Sequence, residues 1–150
     1  DCQEILDHAK KKNLRIFLPI DVVVSKSFSN NDKQKEVDIQ NIPLGWQGLD
    51  IGTKTRKKFS DVIKQSNTIL WNGPMGVFEM SSFQNGTKAV ANAVALATKK
   101  GSFSLVGGGD SVAAVKKFNL KDKISFMSTG GGAMLESLEG KVLPGIKALQ

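Results

Sequence analysis

Short apolar runs alternate along the chain with glycine-rich turns and with segments whose apolar positions recur at helical spacing. Ile5, Leu6 and Ala9 share one face of a helix predicted over residues 3–12, which closes on a lysine triplet. Arg15-Ile16-Phe17-Leu18-Pro19-Ile20 and Asp21-Val22-Val23-Val24 read as strand, with Pro19 marking an end or bend because it supplies no ladder donor. Residues 25–40 are polar and predict an exposed loop or a weak hairpin. Residues 41–52 carry Leu44, Trp46 and Leu49 among Gly45, Gly48 and Gly52, too much glycine for a helix. Such an apolar loop either packs under the domain or walls a flat pocket of the kind a base or ring requires. Thr55 is expected to cap a helix running to Gln65, with Phe59, Val62 and Ile63 inward.

From residue 68 a pattern repeats. Thr68-Ile69-Leu70-Trp71 predicts a strand, residues 72–79 a glycine and proline loop, and residues 87–100 a helix with Val90, Ala93, Val94 and Ala97 on one face, stopped by Gly101. Residues 102–106 predict the next strand, Gly107-Gly108-Gly109 a turn, and the Ala/Val-rich stretch after Asp110-Ser111 a helix that Asp110 or Ser111 would cap. Ile124-Ser125-Phe126-Met127, Ser128-Thr129-Gly130-Gly131-Gly132 and residues 133–139 complete a third strand, loop and helix. Three such units in series imply an open parallel sheet with helices on both faces, a Rossmann-like three-layer α/β/α arrangement, here a partial domain. Parallel strands share a direction, so their glycine loops gather at one rim, where open α/β sheets bind ligands.

Unpaired N–H groups and the positive dipole end make a helix start after a glycine turn a place for phosphate. No G-x-x-x-x-G-K-[ST] is present, so the site is not a P-loop. The dinucleotide fingerprint also fails, because Val112 stands at its third glycine and Ser128-Thr129 where a ribose-binding acid is expected. A nucleotide-binding oxidoreductase domain of similar fold therefore remains only the alternative. A phosphate chain ordinarily carries Mg²⁺, which takes hard oxygen ligands. Asp110 is the one acid inside a glycine loop, and it reads as a metal ligand or as a plain helix cap. Glu79 reads as an acceptor for ribose hydroxyls or as a solvated loop acid.

Composition narrows the classes further. With 150 residues, 40% of them hydrophobic, the chain can bury one modest core. The net charge of +7 is carried by lysines in pairs and triplets at predicted helix ends, with two arginines and no tyrosine. That pattern speaks for solvated helix termini and against a nucleic-acid surface, which interleaves aromatics with arginine. No apolar run reaches the ~20 residues that cross a bilayer, and the start lacks a signal-peptide pattern. One cysteine and one histidine exclude a disulfide framework and the common zinc sites and suit a reducing compartment; His8 reads as an exposed helix residue. The chain begins without Met, which points to a piece of something longer.

Five stretches, in this order, resemble the phosphoglycerate kinase family: Gly45-Trp46-Gln47-Gly48-Leu49-Asp50-Ile51-Gly52, Leu70-Trp71-Asn72-Gly73-Pro74-Met75-Gly76-Val77-Phe78-Glu79, Gly107-Gly108-Gly109-Asp110-Ser111, Ser128-Thr129-Gly130-Gly131-Gly132-Ala133 and Leu138-Glu139-Gly140-Lys141-Val142-Leu143-Pro144-Gly145. The resemblance runs the length of the chain and corresponds to roughly the last third of that two-domain enzyme. It implies that residues 1–140 are the later part of a carboxy-terminal nucleotide-binding domain, and that residues 141–150 are a tail returning toward an amino-terminal domain absent from this chain. The implied reaction is reversible phosphoryl transfer between 1,3-bisphosphoglycerate and Mg-ADP, giving 3-phosphoglycerate and Mg-ATP, in a monomeric cytoplasmic enzyme with Mg²⁺ and ADP/ATP at the site.

The resemblance also assigns positions. Gly48 and Leu49 would line the adenine pocket, Asn72 and Pro74 flank ribose and phosphates, and Glu79 hold the ribose hydroxyls. Gly108, Gly109, Asp110 and Ser111 would bind the phosphates, with Asp110 tied to the metal. Gly130, Gly131 and Gly132 would form the substrate-phosphate loop, and Gly108, Ser111 and Gly131 the catalytic positions around the group in flight. Thr53 departs from the family's proline. The family's basic glycerate patch, its phosphate lysine and a further glycine-rich adenine wall have no counterpart here, which implies a chain inactive on its own.

Overall fold

The computed structural model describes residues 1–149; Gln150, the last residue of the expected tail, lies outside the described residues. Helix α1 (Cys2–Lys11) starts in a capping box between Asp1 and Glu4. Only Ala9 of its apolar stripe is buried, and Ile5 and Leu6 face solvent. The strand expected at residues 15–20 does not form: those residues have no ladder partner, and regular structure resumes at β1 (Asp21–Ser25).

A small antiparallel sheet follows. Its centre is β1, buried along its whole length, flanked by β2 (Gln34–Asp38) and β3 (Gln47–Ile51) in the order β2-β1-β3. Residues 25–40 thus close as a hairpin, with Val22 opposite Val37. Residues 47–51, expected as loop, are strand instead: Val22 pairs with Ile51, and a bulge between Val23 and Val24 brings Val24 opposite Gly48. Val23, Leu49 and Phe83 form a small core, with Val77 and Met80 against it.

Helix α2 (Thr53–Lys64) is capped from a distance rather than by Thr55. Asp21 supplies the acceptors, taking the Lys54 and Thr55 amides at 2.8 Å each. Thr55 is buried within the first turn, where its hydroxyl accepts from the Ile20 and Asp21 amides and donates to Asp21 Oδ1 at 2.5 Å. Burial pushes the Asp21 carboxyl up, but these hydrogen bonds outweigh it and hold it below the usual aspartate value.

The second sheet is parallel, in the order β4 (Thr68–Asn72), β5 (Phe103–Gly107), β6 (Phe126–Ser128). Ile69 pairs with Ser104, Trp71 with Val106, and Val106 with Met127. Helices α3 (Asn85–Lys99) and α4 (Gly109–Lys117) cover one face, burying Ile69, Trp71 and Val106 against Val90, Val94, Val112 and Val115. Helix α5 (Gly131–Leu138) follows β6 and lays Met134 over Gly107 from the other face. The rest of that face carries Leu70, Phe103 and Phe126, 44%, 52% and 58% exposed. The fold is α/β with a helix-flanked parallel sheet, and a four-residue helix α6 (Pro144–Lys147) lies in the tail. Among the described residues no helix is long and apolar enough to cross a membrane.

Candidate functional site

The strands β4, β5 and β6 end level with one another, at Asn72, Gly107 and Ser128, and the chain turns out of each into a glycine loop. The Gly108 amide donates to Ser128 O at 3.0 Å, which ties the second loop to the third. Gly108 has φ +89°, and a Cβ there would stand 2.6 Å from Asn72 Oδ1. A Cβ on Gly131 would stand 2.7 Å from Gly108 Cα, a backbone atom that cannot turn aside. Asn72, Gly108 and Gly131 therefore meet, and the starts of α4 and α5 abut.

Neither of those helices has a side-chain cap. Asp110 and Ser111 do not fill that role: Gly108, with φ +89°, takes the N-cap position and they stand inside the first turn of α4. The first intrahelical donors are Val112, to Gly108 O, and Met134, to Gly130 O. The amides of residues 109–111 and 131–133 precede them and gather at the same rim. Gly109 and Gly132 have open space where a side chain would be, and Gly130 is exposed. Asp110 is exposed in the first turn of α4 and enters no ion pair among the described residues.

The loop after β4 is sutured from several elements. Gly73 N–H donates to Ser111 Oγ at 2.7 Å, Met75 N–H to Thr87 Oγ1 at 3.1 Å and Val77 N–H to Leu49 O at 2.9 Å. Trp71 Nε1 donates back to Gly73 O at 2.7 Å. At the far end Lys117 Nζ reaches Phe78 O at 2.6 Å and Glu79 O at 3.2 Å. Ser111 is only 1% exposed, so its hydroxyl serves the loop backbone. Pro74 sits half-buried between the first two sutures.

The structure thus brings Asn72, Gly108, Ser111 and Gly131 together, with Gly109, Asp110, Gly130 and Gly132 around them. Glu79 stands apart from this group, exposed at the opposite end of α4 from Asp110. Gly48 and Leu49 lie on β3 in the other sheet; Leu49 is buried in the small core and joins the site through its carbonyl. Thr87 and Lys117 were not anticipated as site residues. Lys117 has no local signature beyond its place in a last helical turn, and Thr87 only its place at a helix start. Beneath the loop, buried Asp50 accepts from the Gly86 amide at 2.7 Å and the Ile51 amide at 2.9 Å. Burial pushes its carboxyl up, with those amides and Arg56 partly offsetting the effect.

Among the described residues no three His, Cys, Asp or Glu side chains converge as a metal cage. A lone exposed carboxylate at a helix mouth fits Mg²⁺, which is commonly held by one or two carboxylates with phosphate oxygens and water.

Fold and rim together define an open, parallel-sheet α/β protein of the class in which ligands sit beyond the strand carboxyl ends. A family profile described as phosphoglycerate kinase matches residues 1–141. The chain belongs to the phosphoglycerate kinase family. It is similar to the phosphoglycerate kinase from Coxiella burnetii, with 44% identity and a TM-score of 0.90, over 99% of this chain and 38% of that one. It is also similar to the phosphoglycerate kinase from Pyrococcus horikoshii OT3, with 34% identity and a TM-score of 0.75, over 99% of this chain and 37% of that one. The chain therefore spans well under half the length of these relatives.

Proposed function

We propose that this chain supplies the nucleotide side of a glycolytic phosphoryl transfer between 1,3-bisphosphoglycerate and Mg-ADP, giving 3-phosphoglycerate and Mg-ATP. The observation that carries the reading is the meeting of Asn72, Gly108 and Gly131 at one rim, beside two uncapped helix starts. Phosphoryl transfer asks a protein chiefly for positioning and for stabilisation of charge on the equatorial oxygens. Amides at 109–111 and 131–133 offer both without reorganisation. In this reading Asn72 and Pro74 flank the phosphates, Gly108, Gly109 and Asp110 receive the phosphate chain, and Ser111 holds the loop that does so. Gly130, Gly131 and Gly132 face the acyl phosphate, Glu79 takes the ribose hydroxyls, and Gly48 and Leu49 border the base. Asp110 would hold Mg²⁺, which neutralises charge on the β- and γ-oxygens when bound.

Residues 1–140 belong in this reading to a nucleotide-binding domain, and residues 141–150 lead toward a partner domain that brings the glycerate and, on closing, excludes water. The parent enzyme is a cytoplasmic monomer, and this chain alone does not turn over. Titration with Mg-ADP, followed by the fluorescence of Trp71, tests the reading directly, since the indole is bonded to the loop itself. A saturable change that Mg-pyrophosphate also competes for is expected. The absence of any saturable change with either ligand would overturn the site; ordinary turnover by the isolated chain would overturn the statement that it is incomplete.

A further inference from the structure

Lysines in the last turn of a helix usually stand in solvent, favoured by the dipole. Lys116 fits that description, being exposed at the end of α4. Lys117 does not. Its ammonium lies 2.6 Å from Phe78 O and 3.2 Å from Glu79 O, and 5.9 Å from the centre of the buried Phe78 ring. An ammonium has three donors and no acceptor, so two adjacent carbonyls turned toward it are held in one orientation. Six residues earlier on the same helix, Ser111 Oγ accepts the Gly73 amide. At a rise of ~1.5 Å per residue the two anchors lie about 9 Å apart on a rigid rod. The loop from Gly73 to Glu79 is therefore splinted at both ends by α4, whose first turn carries Asp110.

We propose that Lys117 is a positioning residue for the ribose side of the nucleotide: by fixing the backbone of Phe78 and Glu79 it sets where the Glu79 carboxylate stands relative to the phosphate rim. This rests on the reading of Glu79 as the acid that takes the ribose hydroxyls. Lys117 touches no ligand in this arrangement. Its loss weakens ligands that carry a ribose and spares those that are phosphate alone, because the phosphate end is anchored separately by Ser111. No general loosening of the fold produces that split.

The test uses the whole chain with Lys117→Met, which keeps an unbranched stem beside Phe78, with Lys117→Arg, which keeps a charged donor, and with Lys116→Met as a control for lost charge. Affinities for Mg-ADP and Mg-pyrophosphate are read from Trp71 fluorescence, and amide hydrogen exchange at residues 78–80 is read without ligand. Lys117→Met is expected to weaken Mg-ADP about tenfold, to leave Mg-pyrophosphate within about twofold, and to speed exchange at residues 78–80. Lys117→Arg recovers most of the Mg-ADP affinity, and Lys116→Met changes neither ligand. Equal weakening of both ligands, or unchanged Mg-ADP affinity, overturns the proposal. If the unaltered chain binds neither ligand, the nucleotide reading itself fails and takes the ribose half of the proposal with it. The clamp is then decided by exchange alone, and unchanged rates at residues 78–80 in Lys117→Met overturn that too.

Discussion

Replacing Ser111 with alanine removes one oxygen and almost no volume. That oxygen is the acceptor for the Gly73 amide at 2.7 Å, in a side chain 1% exposed to solvent. The amide left behind sits in a half-buried turn at the end of β4. An unmade hydrogen bond of this kind costs about 1–3 kcal/mol, the upper part of that range applying when water is excluded. Half-burial places Ser111→Ala near 1–2 kcal/mol, a noticeable part of the ~5–15 kcal/mol that holds a domain folded. For a chain of this size that lowers Tm by roughly 2–8 °C. In urea the midpoint falls with the slope unchanged, since the surface exposed on unfolding is the same. Amide exchange localises the effect: Gly73 loses protection, while Val106 in the central strand β5 follows only the global change. Trp71, bonded to Gly73 O, shifts its emission. A midpoint moved by less than about 0.5 kcal/mol, with Gly73 protection unchanged, would refute the idea that the hydroxyl anchors this loop.

Thr55→Val leaves the Ile20 and Asp21 amides and the Asp21 carboxylate without the hydroxyl that joins them; a loss of about 2–4 kcal/mol in urea unfolding is expected. Asp21 itself is held below its ordinary value, so its contribution is complete above about pH 3.9 and disappears as pH falls through the lower folded value. Asp21→Asn should therefore be less stable than the unaltered chain at neutral pH, with the gap narrowing in acid; a gap independent of pH would contradict this. Gly131→Ala sets a Cβ against Gly108 Cα and should cost about 1–3 kcal/mol while abolishing Mg-pyrophosphate binding, whereas full binding would show that the two loops do not share a ligand. Phe103→Thr with Phe126→Thr strips the more exposed part of the bare sheet face; light scattering at high concentration should fall, with stability within about 0.5 kcal/mol for each surface change, and a large loss of stability would mean that the face is packed.

The helices and parallel strands of residues 68–139 were legible because each announces itself locally. Val90, Ala93, Val94 and Ala97 recur at helical spacing and are all buried, and the apolar strands run straight into glycine. The antiparallel sheet was legible only in part: Asp21–Val24 reads as strand and residues 25–40 as a loop or weak hairpin, and the two flanking strands escape for different reasons. Gln34–Asp38 is an edge strand with neither face in a core, so no apolar alternation marks it. Gln47–Ile51 contains Gly48, whose presence reads as a loop although Val24 pairs with it. Residues 15–20 have the opposite fault, since Ile16, Leu18 and Ile20 look like strand but meet no partner strand and remain 43%, 56% and 39% exposed. Periodicity reports what a segment is able to bury. It does not report whether anything arrives to bury it against.

The same distinction of range separates what was visible of the site from what was not. The residues that meet at the rim lie in contiguous glycine loops, because each parallel strand delivers its loop to the same edge; Gly107-Gly108-Gly109-Asp110 and Gly130-Gly131-Gly132 could therefore be read as a unit from the repeat of strand, loop and helix. The groups that hold those loops still act on backbone atoms 12 to 39 residues away, as Thr87 does on Met75 and Lys117 on Phe78. A side chain that bonds a distant carbonyl or amide carries no pattern in its own neighbourhood. Thr55 and Ser111 make the point most sharply. Each has the residue type of a helix cap at the right end of a helix, and each instead turns inward to serve a strand or loop that precedes it by more than thirty residues. Sequence position makes each of them a cap, and only the fold determines which partners the hydroxyl takes.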